Sequence, residues 1–164
     1  MEGRTECVRI KATDDPESKL DQTNEEEISP VMVNCHGVGH VDKITKALVR
    51  LSKPHWVLIL WLGSNRLESI PEVVWQFTNL EELQLNGNEL KTLSPAIVKL
   101  TKLRELGIGM NLFEGFPEVV CKLEQLGFLL VHECKLSFLP SSFASLRNLV
   151  KLQLAGNAFE QFPE

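Results

Sequence analysis

From Val57 onward, apolar residues return on a fixed schedule. Val57, Leu80, Leu103, Leu126 and Leu149 stand 23 residues apart, and each opens the same series. The third unit runs Leu103, Leu106, Ile108, Asn111, Phe113, Phe116, Pro117, Val120 and Leu123. The first gives Val57, Leu60, Leu62, Asn65, Leu67, Ile70, Pro71, Val74 and Phe77. The second gives Leu80, Leu83, Leu85, Asn88, Leu90, Leu93, Ile97 and Leu100, with its proline moved one place to Pro95. The fourth puts Cys134 where the others have asparagine, and the fifth runs from Leu149 through Asn157 to Phe162 and Pro163. A period of this length marks a solenoid whose units stack on one another. The alternation that opens each unit, as in Leu83-Gln84-Leu85, predicts a strand with one buried face. The asparagine can serve backbone groups of neighbouring turns where the strand bends away. The later apolar positions, such as Ile97 and Leu100, then close the far side as a short helical or irregular arc. A lone unit buries too little to offset its chain entropy; a stack shares its faces and succeeds.

A looser turn precedes these five. Ile28, Val31, Val33, His36, Val38 and Val41 follow similar spacing, with His36 expected at the asparagine position. Val41, Ile44, Leu48 and Leu51 then trace one helical face, with Asp42 in its first turn, Arg50 and Lys53 near its end, and Pro54 to stop it. Residues 28–56 are therefore expected to be a degenerate N-terminal capping repeat with an amphipathic helix. Residues 1–27 hold few apolar side chains and the run Glu25-Glu26-Glu27, which predicts a disordered acidic arm. Residues 57–164 hold the five repeats, the last incomplete. Its final layer is expected to lack a polar cap and to leave Phe159 and Phe162 partly exposed, as in a truncated product or a surface covered by another chain.

The series resembles the leucine-rich-repeat pattern L-x-x-L-x-L-x-x-N/C-x-L, continued by x-x-L-P-x-x-I-x-x-L. The cysteine in the fourth unit is a substitution that pattern admits. The 23-residue length with Leu-Pro is similar to the intracellular class of Ras-suppressor and adenylate-cyclase-type proteins. The resemblance implies an α/β fold: a curved horseshoe with a parallel concave β-sheet and short helical or irregular convex arcs. It also implies a protein-binding role, with the concave face as the usual partner surface.

Charge narrows the partner. Residues 1–30 carry nine acidic and four basic side chains, and the remaining residues carry thirteen of each. The net charge of −5 therefore sits on the arm, and a neutral body gives no electrostatic reason to bind nucleic acid. The arm itself is expected to act as a solubilising segment rather than a tail for a basic partner. No apolar run is long enough to span a membrane, and the opening residues contain no apolar core of a secretory leader. The four cysteines, Cys7, Cys35, Cys121 and Cys134, are scattered without a disulfide or zinc spacing. Extracellular relatives of the resembled family usually carry cysteine-rich caps, so a cytoplasmic location, or a nuclear one, is expected.

The residues between the buried leucines should point onto the concave face. Of these, Ile59, Trp61, Glu82, Gln84, Glu105, Phe128, Leu130 and His132 are the candidate partner-binding set. Trp61 with Ile59, and Phe128 with Leu130, place two apolar patches where a solvated sheet would be polar, although they could also cover one another or pack under the arm. Gly107 and Gly109 lie between the patches and are expected to lower the floor for close approach. No catalytic residue, metal ligand or cofactor is expected. Cys35, His36 and His40, with His55 nearby, have the residue types for zinc but no second cysteine pair, so a zinc-dependent activity is the weakest alternative. His132 beside Cys134 reads as a buried structural thiol rather than a nucleophile pair. Gly37-x-Gly39 and Gly107-x-Gly109 lack the third glycine and strand–helix setting of a nucleotide loop. A monomeric adaptor or scaffold is the leading expectation. A structural or regulatory subunit that associates through its C-terminal end is the alternative.

Overall fold

The computed structural model describes residues 6–9, 31–51 and 54–159. Seven strands form one parallel sheet in chain order: β1 (Glu6–Arg9), β2 (Val31–Asn34), β3 (Val57–Trp61), β4 (Glu82–Gln84), β5 (Glu105–Gly107), β6 (Phe128–Leu130) and β7 (Lys151–Gln153). From β2 onward, each crossover between consecutive strands carries a short helical element. Among the described residues one α-helix, α1 (Val41–Val49), lies on the crossover from β2 to β3. Short 3-10 turns make the next four: Glu72–Gln76, Pro95–Lys99, Glu118–Lys122 and Ser141–Ser145. The expected α/β solenoid, with a parallel sheet and short helical arcs, is therefore the fold observed.

The local chemistry explains the repeat. Leu60, Leu83, Leu106 and Leu129 pair in register from β3 to β6, and all are fully buried. Pro71, Pro117 and Pro140 precede three of the 3-10 turns, where a fixed φ suits entry and the missing N–H costs nothing. The second unit reaches the same turn differently. Pro95 is its first residue, and Ser94 accepts the Ala96 N–H on its hydroxyl at 3.3 Å. The displaced proline is thus matched by a side-chain cap.

Asparagines seal the corner between strand and arc. Asn88 accepts the N–H groups of Asn65 and Leu67 at 3.0 Å and donates to the carbonyls of Leu62 at 3.0 Å and Leu85 at 2.8 Å. In their own layers Asn65, Asn111 and Asn157 likewise donate to two or more carbonyls, with Asn157 accepting two N–H groups and Asn65 and Asn111 one each. Cys134 replaces the amide with a thiol whose sulfur lies 3.4 Å from the carbonyls of Ile108 and His132. One S–H can serve only one carbonyl at a time.

Two expectations about the N-terminal region change. Glu6–Arg9 forms β1 and pairs in parallel with β2, whose outer backbone groups would otherwise be open to pairing. The rest of residues 1–27, including the glutamate run, lies outside the described residues. The first turn is also set two residues away from the expected register. Val33 pairs with Leu60, Cys35 donates its N–H to the Trp61 carbonyl at 2.8 Å, and Gly37 donates to Gly63 at 3.0 Å. Val38, buried, therefore takes the asparagine place, and His36 stands exposed across from Gly63. A shift of two preserves strand alternation, so the sequence pattern alone does not detect it. The helix matches in position, with Ile44, Ala47 and Leu48 as its buried residues, while Val41 is exposed.

At the opposite side of the stack the packing opens. Leu152 on β7 is 36% exposed, although its counterparts on four preceding strands are fully buried. Phe159 is half-buried, and Phe162 lies outside the described residues.

Candidate interaction surface

Strand alternation and parallel register build the open face as three rows. The first runs Met32, Ile59, Glu82, Glu105, Phe128 and Lys151. The second runs Asn34, Trp61, Gln84, Gly107, Leu130 and Gln153. Beyond the strand ends a third contains His36, Gly63, Asn86, Gly109, His132 and Ala155. All eight candidate residues named from the sequence thus share one face: Ile59, Glu82, Glu105 and Phe128 in the first row, Trp61, Gln84 and Leu130 in the second, and His132 in the third.

The centre of the face is a hydrogen-bonded chain. The Trp61 indole donates Nε1–H to Glu82 Oε1 at 2.8 Å. Gln84 donates to the same oxygen at 3.3 Å and to Glu105 Oε1 at 2.8 Å. Asn86 donates to Gln84 Oε1 at 2.9 Å and accepts the Gly109 N–H at 2.7 Å. Trp61 is therefore pinned rather than free to rotate. Burial holds the Glu105 carboxyl above the usual glutamate range, and the neighbouring Glu82 charge adds to this; the Gln84 hydrogen bond and Lys151 pull the other way.

The third unit's glycines serve a different purpose from the one expected. Gly107 and Gly109 are both buried. A Cβ on Gly107 would run into the Gln84 amide, and one on Gly109 would stand 2.5 Å from the His132 ring. The glycines therefore make room for neighbouring side chains, not for a low floor open to a partner. His132 Nδ1 is buried there and has no hydrogen-bond partner. Phe128, by contrast, remains 40% exposed beside half-buried Leu130.

Sequence reasoning missed Met32, Asn34 and His36, which extend the rows beyond Ile59, Trp61 and Gly63. Their signal was the alternation from Val31 to His36, obscured by placing His36 in the asparagine position. It also missed Met110 and Leu112, which are about half exposed at 50% and 49% on the loop after β5. Met110 holds a φ of 54°, the left-handed conformation that Gly87 and Gly156 adopt at the same repeat position.

The zinc alternative loses its geometry. Cys35 is fully buried in the core, while His36 and His40 are exposed. No group of three His, Cys, Asp or Glu side chains among the described residues could hold a metal ion. Burial pushes the Cys35 thiol up to about 12 and raises those of Cys121 and Cys134 as well. At neutral pH these are protonated structural thiols, so the His132–Cys134 pair supplies no nucleophile. No described helix is long and apolar enough to cross a membrane.

Comparison with known proteins gives the same architecture. Residues 58–113 match the model of the leucine rich repeat family. A leucine-rich-repeat protein of Leptospira interrogans is similar at 26% identity with a TM-score of 0.65, over 80% of this chain and 38% of that one. Internalin C2 of Listeria monocytogenes has the same fold at 24% identity and a TM-score of 0.60, over 82% of this chain and 53% of its own. A chain of the BIR3–SERK2 complex of Arabidopsis thaliana is 30% identical with a TM-score of 0.53, over 66% of this chain and 58% of that one. The chain thus spans less than two thirds of the length of each. No curated protein matches the sequence significantly.

Proposed function

We propose that this leucine-rich-repeat solenoid is a non-enzymatic adaptor or scaffold that binds a partner protein on the concave face of its sheet. The observation that carries this reading is the composition of that face. Half-buried Ile59 and Trp61 stand on one side of a polar centre, and Leu130 with exposed Phe128 on the other. Aromatic anchors around a polar centre suit a protein interface better than a solvated sheet. The likeness to a chain from the BIR3–SERK2 complex supports a binding role without naming a partner. The eight residues Ile59, Trp61, Glu82, Gln84, Glu105, Phe128, Leu130 and His132 are the proposed contact set.

The proposal extends to class and setting. The 23-residue period and the Leu-Pro or Phe-Pro corners favour the intracellular class of repeats. Cys35, Cys121 and Cys134 are free and buried in separate units, which suits a reducing compartment, and the cytoplasm is the proposed location. The proposed state is monomeric; stacking on β7 is the competing reading, and it would make mass rise with concentration in sedimentation equilibrium.

Affinity capture from cell extract tests the main reading by comparing wild type with Trp61→Ala/Phe128→Ser, after circular dichroism shows both folded. Retention of a protein by wild type and its loss from the variant is the expected result. Equal capture by both would move the contact surface away from this face.

A further inference from the structure

Glu82 and Glu105 are direct cross-strand neighbours, one on β4 and the other on β5. Adjacent strands lie roughly 4.8 Å apart, so the two carboxylates repel each other across a half-buried surface. Each has one oxygen engaged: Glu82 Oε1 by Trp61 and Gln84, and Glu105 Oε1 by Gln84. Among the described residues, no cationic side chain forms a close ion pair with either. Lys151 eases the charge on Glu105 from two strands away in the row, a separation of roughly 10 Å. Ile59 and Phe128 flank the carboxylates along the row, and pinned Trp61 stands beside Glu82.

We propose that this face receives an arginine side chain of the partner protein, seated between the Glu82 and Glu105 carboxylates with Trp61 and Phe128 as its apolar walls. The inference rests on the reading of the face as a partner surface and names the chemistry that surface selects. A guest here must be positive, must serve two carboxylates at once and must tolerate aromatic neighbours. A guanidinium meets all three requirements: it is planar, carries five donors in a fixed fork, and is weakly hydrated enough to lie against an aromatic ring. A lysine ammonium is a compact, strongly hydrated point charge and fits less well. The repulsion that the free protein retains is the feature an incoming cation relieves. The hydrogen bond from Trp61 sets one wall before the guest arrives, which lowers the ordering cost of binding.

The Trp61 indole N–H, bonded to Glu82, is a built-in reporter. The test titrates the full chain with the blocked tripeptide acetyl-Gly-Arg-Gly-amide and follows the indole resonances, with Trp61→Phe identifying the relevant one. A saturable shift at Trp61 is expected, with millimolar affinity for a single side chain. Glu105→Gln should weaken it by about tenfold, the effect of a lost charge pair of about 1.4 kcal/mol. The lysine tripeptide should bind more weakly, and the uncharged citrulline tripeptide should give no shift. Backbone amide spectra confirm that the variants remain folded. No saturable shift, an equal shift with citrulline, or binding unchanged in Glu82→Gln/Glu105→Gln overturns the proposal. A partner captured through this face without any tripeptide shift overturns the arginine assignment and leaves the partner surface standing. Capture indifferent to Trp61→Ala/Phe128→Ser removes the surface and this inference together.

Discussion

The two faces of the sheet follow different rules. On the inner side Leu60, Leu83, Leu106 and Leu129 are one residue repeated, and each is fully buried. One place along, on the open side, stand Trp61, Gln84, Gly107 and Leu130, which share no chemistry. Stacking explains the uniform face, because each layer must present the same shape to the next. It leaves the other face free. Variation there is available to encode a partner, as the proposed function requires, whereas variation on the inner face costs stability.

The most damaging break of that comparison should come at the asparagine corner. Asn88→Ala would orphan the N–H groups of Asn65 and Leu67 in the interior of the stack, and would remove one of the two amide donors from each of the Leu62 and Leu85 carbonyls. With each buried orphan costing about 1–3 kcal/mol, a loss of about 4 kcal/mol or more is expected from urea denaturation. Leu83→Ala should follow at about 3 kcal/mol, from lost burial and the cavity left behind. Gln84→Ala, next in sequence but on the open face, should cost about 1 kcal/mol. Equal costs at Leu83 and Gln84 would mean that the open face is also a structural core.

The sequence disclosed the periodic half of this molecule and little of the other. The strands at Val57–Trp61, Glu82–Gln84 and Glu105–Gly107, and the ladder through Asn65, Asn88, Asn111 and Cys134, were all legible because stacking enforces one pattern. The first turn was misplaced by two residues because strand alternation has period two and cannot register such a slip. The filling of the space over Gly107 and Gly109 was hidden for a different reason. It depends on how Gln84 and His132 reach sideways across a strand, which no residue spacing records. The eight face residues could be placed, but the bond from Trp61 to Glu82, 21 positions away, could not.

A smaller, opposite effect is expected where the fourth unit departs from the ladder. Cys134 donates its backbone N–H to Asn157 Oδ1 at 3.0 Å, as Asn65 does to Asn88. Its thiol, however, returns less than an amide would to the layer before it. The Asn111 N–H faces the sulfur, a weak acceptor. Cys134→Asn would offer that N–H a carbonyl oxygen and serve the facing carbonyls with two amide donors. A gain of about 1 kcal/mol is expected, read as a higher urea midpoint with an unchanged slope. A loss would mean that the pocket has been shaped to the smaller thiol.

The smallest effect, and the one that joins stability to binding, belongs to Glu105. Its folded carboxyl holds its proton more tightly than an ordinary glutamate, first through burial and then through Glu82. A raised carboxyl contributes stability that is fully present below its unfolded value and lost as pH rises through its folded value. Relative to the protonated form, the ionised carboxylate is therefore a cost to the fold. Glu105→Gln keeps an acceptor for Gln84 and removes that cost, so it should melt slightly higher than wild type at pH 7. The difference should close as the pH falls below the ordinary glutamate range, where the wild-type carboxyl is protonated in both states. The same substitution is expected to weaken arginine binding, so its effects on folding and recognition have opposite signs. A residue kept for packing would move both in the same direction; one kept for a partner separates them.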